Sequence, residues 1–416
     1  MTQKLLNYLT LDDVSASGKT VLVRVDLNSP MSPNGSILDD ARFKSHLPTL
    51  GDLIDSKVVL LAHQSRPGKR DFTTMEIHAQ RLQRLCRRTV TYVDDIFGSH
   101  AINAIESMNS GDIILLENTR FYSEEGLSRS PEEHANTIMV KRLAPHADLF
   151  VNDAFAVSHR SQLSVIGFTT VLPSVAGRLM EKEIKSLSRG FSKIGTVFVL
   201  GGIKANDSID VIENVAANDE VESIIVTGLV ANVFLAAKGV DLGKKNIDFM
   251  KSIGCASEIE RAHKLLTKYG NKIELPVDVA GAGENDPNKR VEMSVSELPT
   301  DLSINDIGLE TIISFSEKIR NAQTVIMNGP AGIFENEAFE LGTKELLTAA
   351  TKSKFSIVGG GHIASEAHAL GIESKISHVS TGGGACIDFL AGRTLPGIEA
   401  LVQSYKRFKS GLSTNI

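Results

Sequence analysis

Cationic and polar side chains recur just beyond the apolar runs in the first half of this 416-residue chain. The run VLVRVDL (21–27) carries Asp26 and is followed by Asn28, with Arg42 a loop later. VVLLAH (58–63) ends in His63 and reaches Arg66. DIILLEN (112–118) leads to Arg120, and DLFVNDAF (148–155) to His159 and Arg160. A guanidinium is a planar fork that grips a carboxylate or phosphate through two parallel N–H bonds. Taken singly, each arginine reads as a solvated surface residue. Repeated at four strand ends, they read as one anion site.

The second half carries glycine in the equivalent places. GGIK (201–204), NGPAG (328–332), GGGH (359–362) and STGGGA (380–385) follow or lie near apolar runs. Where no Cβ intrudes, backbone N–H groups approach a phosphate closely, and a following helix N-terminus adds positive potential. One such turn is ordinary. Several in one domain, with Lys204 beside one of them, point to a nucleotide polyphosphate. Gly18-Lys19-Thr20 imitates the tail of a P-loop, but Asp13 stands where that loop needs glycine and a strand follows it.

The elements that must position these residues follow from the runs themselves. Those of the first half, and TVFVLGG (196–202), ESIIVTG (222–228), TVIMNGP (324–330) and FSIVGGG (355–361), are apolar at nearly every residue. Such runs read as strands buried on both faces, which belong to parallel sheets flanked by helices. After VFVLGG, Asn206 or Asp207 is expected to cap a helix bearing Ile209, Ile212 and Val215. Met180, Ile184 and Leu187 share helical spacing, and Gly190 is placed to end that helix. The expected fold is α/β: two Rossmann-like three-layer αβα domains with mainly parallel sheets, joined by an interdomain helix (176–190). The expected domains are 1–175 and 176–397.

A net charge of −6 argues against a general nucleic-acid or membrane binder, so anions must be captured by local clusters. Cys86, Cys255 and Cys386 form no CxxC and are odd in number, against a disulfide framework or zinc site. The opening MTQKLLNYLTLDD lacks a signal-peptide pattern, and no run of 18 apolar residues occurs; a cytoplasmic protein is expected.

The runs RVDLNSP, HQSRP, LLENTRF, VNDAFAVSHRSQ, AGRLMEKE, GGIKANDS, LPVDV, MNGPAGIFE, GGGH and HVSTGGGA occur in this order. Together they resemble phosphoglycerate kinases from end to end, in details such as VTGLVANVF the archaeal branch. By position, the resemblance implies a phosphoglycerate pocket of Asp26, Leu27, Asn28, Arg42, His63, Arg66, Arg120 and Arg160. It implies a nucleotide site of Lys204, Asn328, Pro330, Glu335, Gly359, Gly360, Gly361, His362, Ile363, Gly382, Gly383 and Gly384. Arg42 and Lys204 match the residues at the transferred group. ATP/ADP with Mg2+ is the implied cofactor set, 3-phosphoglycerate and 1,3-bisphosphoglycerate the implied small-molecule partners, a monomer the usual state, and the tail 398–416 is implied to pack back on the first domain. Two positions depart from the pattern. His362 stands where many members have a magnesium-binding aspartate, leaving the metal ligands unknown, and Ser208 replaces a second lysine.

The implied reaction is reversible transfer of a phosphoryl group between 1,3-bisphosphoglycerate and ADP, in line and after domain closure. The acceptor carboxylate, with a pKa of about 4, is ionised at neutral pH and needs no general base. A nicotinamide-dependent dehydrogenase is the rival enzyme class, but no GxGxxG opens a helix after a strand with an acidic residue about 20 positions on. A catalytically inactive relative that only binds nucleotide or phosphoglycerate is the second alternative.

Overall fold

The computed structural model describes residues 7–189 and 194–412. Of these, the residues up to Ile184 together with those from Thr394 onward form one compact unit, and Lys185–Arg393 the other. The division falls inside the helix Arg178–Arg189, between Ile184 and Lys185, whereas the boundary was expected near residue 175. Gly190, the expected end of that helix, lies outside the described residues.

In the first unit six strands run parallel: β1 (Thr20–Arg24), β2 (Lys57–Leu61), β3 (Val90–Val93), β4 (Ile113–Leu116), β5 (Leu149–Asn152) and β6 (Ser174–Ala176). Their order across the sheet is β3-β4-β2-β1-β5-β6. Alternate residues of each strand enter opposite cores. Val21, Val23, Val58, Leu60, Ile113 and Leu115 meet Phe43, Leu50 and Met75 on one face. Leu22, Val59, Leu61, Ile114 and Phe150 meet Ile105, Leu143 and Phe168 on the other. Helices on both faces explain why these strands are apolar throughout. The helix Pro396–Leu412 belongs to this unit. Ser404 Oγ accepts from Ser174 N at 3.1 Å, and Arg407 donates to the Thr170 carbonyl at 2.7 Å.

The second unit has a parallel sheet of β7 (Thr196–Leu200), β8 (Val221–Val226), β9 (Ile273–Glu274), β13 (Thr324–Asn328), β14 (Ser356–Gly359) and β15 (His378–Val379), ordered β15-β14-β13-β7-β8-β9. It also has an antiparallel sheet that the sequence did not announce: β10 (Asp278–Gly283), β11 (Asp286–Ser294) and β12 (Ser303–Ile307), ordered β11-β10-β12. The strand DPNKRVEMS is partly or fully exposed at every position, so it carries no apolar signal. No named apolar run forecast β3, β6, β9 or β15; the other parallel strands are shorter than the runs that forecast them, because the last residues of those runs leave the ladder.

One buried acid organises the start of the helix Arg178–Arg189. Asp153 is fully buried, and its Oδ1 accepts from the backbone N–H groups of Leu179 (2.9 Å) and Met180 (3.3 Å). Its Oδ2 lies 2.7 Å from Nδ1 of the buried His46. A Cβ at Gly177 would come 2.2 Å from Asp153 Oδ1, so only glycine leaves room for the cap. Removing the carboxylate orphans two helix N–H groups and a buried imidazole. Asp153→Ala is expected to cost about 3 kcal/mol or more in denaturant unfolding of the first unit. A loss below about 1 kcal/mol would mean that neither contact matters.

Candidate functional sites

The first site forms at the carboxyl ends of β1, β2, β4 and β5, where ligands of open parallel sheets bind. Arg42, from the short helix Ala41–Ser45, donates to Asp26 Oδ2. Asp26 is buried; its Oδ1 accepts from Asn28 N at 3.1 Å, and its own N–H donates to His46 Nε2 at 3.0 Å. Asn28 Oδ1 accepts from Ser65 N at 2.8 Å, and the Ser65 carbonyl accepts from Arg120 at 2.7 Å. These bonds tie three strand ends together.

Electrostatics shows the same convergence. His63 is buried, and its pKa lies well below the ordinary 6.5, first through burial and then through the charges of Arg24, Arg120, Arg160 and Arg42. Burial, then Arg160 and Arg24, bring Arg120 down to about 10. Burial and Arg66 lower Arg160. Arg120 also keeps one buried terminal nitrogen, NH2, without a hydrogen-bond partner. An unpaired buried donor among mutually repelling cations is the chemistry of a pocket for an anion.

The second site is a cavity of about 960 Å3 in the second unit. The turn 201–204 leaves β7 and opens the helix Ala205–Val215, with Lys204 at its N-cap. A Cβ at Gly201 would come 2.3 Å from Thr227 Oγ1 and 2.4 Å from the Pro330 carbonyl, which explains glycine there. The helices Gly228–Ala237, Gly361–Ala369 and Gly383–Leu390 also begin at this cavity, so four N-termini face it. Their free N–H groups and dipoles suit a polyanion. Farther along, Phe249, Pro276, Ile304 and Ile333 give apolar wall. Asp306, also on the wall, is tied to Arg290 (2.8 Å) and to Gly342 N (2.9 Å); burial raises its pKa to about 6.

The predicted residues fall as follows. Asp26, Arg42, His63, Arg66, Arg120 and Arg160 are brought together. Leu27 sends its side chain into the core, so only its main chain can serve the pocket. Lys204, Asn328, Pro330 and Glu335 line the cavity, as do Gly360, Gly361, Ile363, Gly383 and Gly384. Gly359 ends β14, where its added Cβ would meet Cys386 Sγ at 2.6 Å; Gly382 N-caps the last of the four helices. The side chain of His362 lies outside the described residues. Asn206 and Asp207 do not cap their helix: it begins at Ala205, because the glycine turn feeds straight into it, and Asp207 instead lines the cavity. Sequence reasoning missed Arg24 and Gly228. The signal for the first was a charge inside an otherwise apolar strand; for the second, one more glycine at a strand end. Ile304 and Asp306 come from the unforeseen antiparallel sheet.

Two parallel-sheet units, one with an arginine-lined anion pocket and one with a cavity ringed by glycine turns and helix N-termini, define a nucleotide-dependent phosphotransferase. The chain belongs to the phosphoglycerate kinase family, whose model, "Phosphoglycerate kinase", matches residues 11–393. It is 60% identical over 407 residues to phosphoglycerate kinase of Methanosarcina mazei, covering 97% of each chain. It is 50% identical to that of Methanothermobacter thermautotrophicus, covering 95% of this chain and 97% of the other. Among solved structures, it is similar to phosphoglycerate kinase from Pyrococcus horikoshii OT3, with a TM-score of 0.88, 42% identity, and 96% and 100% of the two chains covered. The corresponding values for phosphoglycerate kinase from Coxiella burnetii are 0.79, 32%, 95% and 99%.

Behind the first site sits His78, fully buried. It is hydrogen-bonded to Gln64 Oε1 at 3.0 Å, and Gln64 in turn donates to the Ser29 carbonyl at 3.1 Å. Burial lowers its pKa from 6.5 to about 4. The unfolded chain therefore binds a proton that the folded chain refuses, and stability falls as pH drops from about 6.5 to about 4. His78→Gln should make stability less steeply dependent on pH in that window, as read by urea unfolding at stepped pH. An unchanged slope would show that His78 does not supply it.

Proposed function

We propose that this chain transfers a phosphoryl group between the carboxylate of 3-phosphoglycerate and ADP/ATP, with the phosphoglycerate on the first unit and the nucleotide on the second. The observation that carries this reading is the gathering of Arg24, Arg42, Arg120 and Arg160 around His63. A neutral imidazole held among guanidiniums is poorly suited to act as a base, but the cluster suits a ligand that is anionic at both ends. Asp26 and Asn28 orient its hydroxyl and carboxylate, and Arg66, Arg120 and Arg160 hold its phosphate.

In the cavity, the glycine N–H groups and Lys204 take the nucleotide phosphates, Asn328, Pro330 and Glu335 position phosphates and ribose, and the apolar wall takes the base. Among the described residues no cluster of three metal-ligating side chains occurs. Asp306 has its oxygens engaged by Arg290 and backbone N–H groups, so Asp207 and Glu335 are the cavity carboxylates left for a cation. One carboxylate with nucleotide oxygens and water fits Mg2+, which would neutralise phosphate charge. Ser208 lines the cavity but cannot replace the charge of a lysine. Arg42 and Lys204 then neutralise the equatorial oxygens of the transferring group. Such a transfer favours exclusion of water once both ligands are bound. The protein works as a monomer in the cytoplasm; among the described residues no helix is long and apolar enough to cross a membrane.

The test is turnover with 3-phosphoglycerate, ATP and magnesium, coupled to reduction of the acyl phosphate and loss of NADH. Arg42→Ala or Lys204→Ala should lower kcat at least about a hundredfold, the equivalent of about 2.7 kcal/mol, with the fold intact. Near-normal turnover in either variant removes the role assigned to it. No turnover in the unaltered protein favours the binding-only alternative. Small-angle scattering should show a smaller radius of gyration only when both ligands are present; no change would count against closure.

A further inference from the structure

Arg24 lies inside strand β1 and is fully buried, an unusual place for a guanidinium. Each side of its fork is held. Nε donates to Ser164 Oγ at 2.7 Å, NH1 donates to the Val25 carbonyl, and NH2 lies 3.0 Å from Nδ1 of His63. Ser164 is itself anchored: its Oγ donates to Glu125 Oε1 at 2.6 Å, and its backbone N–H donates to Glu125 Oε2 at 2.8 Å. Glu125 is fully buried and partly offsets the burial that, with Arg160, brings Arg24 down to about 10. A line therefore runs from Glu125 through Ser164 and Arg24 to His63.

We infer that Arg24 is a positioning residue that selects the Nε2–H tautomer of His63, so that the imidazole meets phosphoglycerate as a hydrogen-bond donor. The reasoning is chemical. A guanidinium has five N–H donors and no acceptor. Facing one, Nδ1 must present its lone pair, and the ring proton must sit on Nε2. Nε2 has no partner among the described residues and is the atom left for a ligand. The carboxylate and phosphate oxygens of phosphoglycerate are acceptors, so facing either of them the opposite tautomer would set lone pair against lone pair. A doubly protonated ring would set Nδ1–H against the Arg24 N–H. Neutral His63 is also what the surrounding arginines enforce. The inference rests on the reading that His63 faces phosphoglycerate; the tautomer itself can be measured without turnover.

The experiment is long-range 1H–15N correlation NMR on the full chain labelled with 15N-histidine, in the absence of ligand. The His63 signals are identified by their loss in His63→Gln. The expected pattern is one nitrogen at a pyrrole-like shift assigned to Nε2 and one at a pyridine-like shift assigned to Nδ1. The reverse pattern, or an imidazolium pattern, overturns the proposal, and the unaltered protein alone decides this point. Ser164→Ala then tests the line behind Arg24. It should give averaged shifts for the two nitrogens and weaken 3-phosphoglycerate binding by about fivefold, one hydrogen bond's worth, in calorimetric titration. Unchanged shifts and unchanged affinity, in a variant with cooperative thermal unfolding, would remove Ser164 from the mechanism. If His63 has the expected tautomer but the protein does not turn over phosphoglycerate, the function proposed above fails and the positioning by Arg24 stands.

Discussion

Guanidinium groups crowded around one imidazole repel one another, and the first unit is arranged to withstand that repulsion before any ligand arrives. Arg24, Arg42, Arg120 and Arg160 all act on His63, and Arg66 acts on Arg120 and Arg160. The counter-charges are few and buried: Asp26 against Arg42, and Glu125 behind Arg24. The rest of the positive potential is uncompensated by close carboxylates, and that excess is what an anion completes. Full pairing would have given a calmer pocket with no affinity left over. The cost appears as an orphaned Arg120 nitrogen and depressed arginine pKa values, the marks of a site poised for charge rather than built for stability alone.

The cavity of the second unit has no cluster of guanidiniums; Lys204 and Lys245 share its wall with Asp207, Asp306 and Glu335. Four helix N-termini meet one cavity at strand ends, and glycine lets their backbone N–H groups come close. Backbone donors do not repel one another as cations do, and the buried acid on this wall, Asp306, is spent on Arg290 and Gly342 N. The two strategies suit their ligands. A small, doubly anionic molecule needs directional forks at each end, whereas a polyphosphate chain suits a row of neutral donors with lysines beside it.

Both units fix helix starts with a buried aspartate set against a glycine. Asp153 caps the helix Arg178–Arg189 beside Gly177. Asp278 accepts from Glu310 N (2.9 Å) and Thr311 N (2.8 Å), and a Cβ at Gly308 would lie 2.2 Å from its Cγ. Asp153 has a further consequence. Through His46 it reaches the backbone of Asp26, so the acid that starts this helix also steadies the partner of Arg42.

Much of this was legible in the residue order. Parallel strands buried on both faces must be apolar throughout, so their runs stand out, and polar or glycine residues just beyond them mark the ligand edge. That is why the arginines of the first unit and the glycine turns of the second could be named. The antiparallel sheet could not, since DPNKRVEMS is exposed and lacks an apolar pattern. Nor could the role of Arg24, which by sequence is a flaw in an apolar strand and by structure the contact of His63. The sequence by itself determined the central parallel strands and the residue types at their ends, though not the short β3, β6, β9 and β15, because burial and backbone conformation are local demands on residue type. Only the tertiary structure decided strand order, which carboxylates oppose which arginines, and which ring nitrogen of His63 is left facing the pocket, because these depend on contacts between residues as distant in the chain as Arg24 and Ser164.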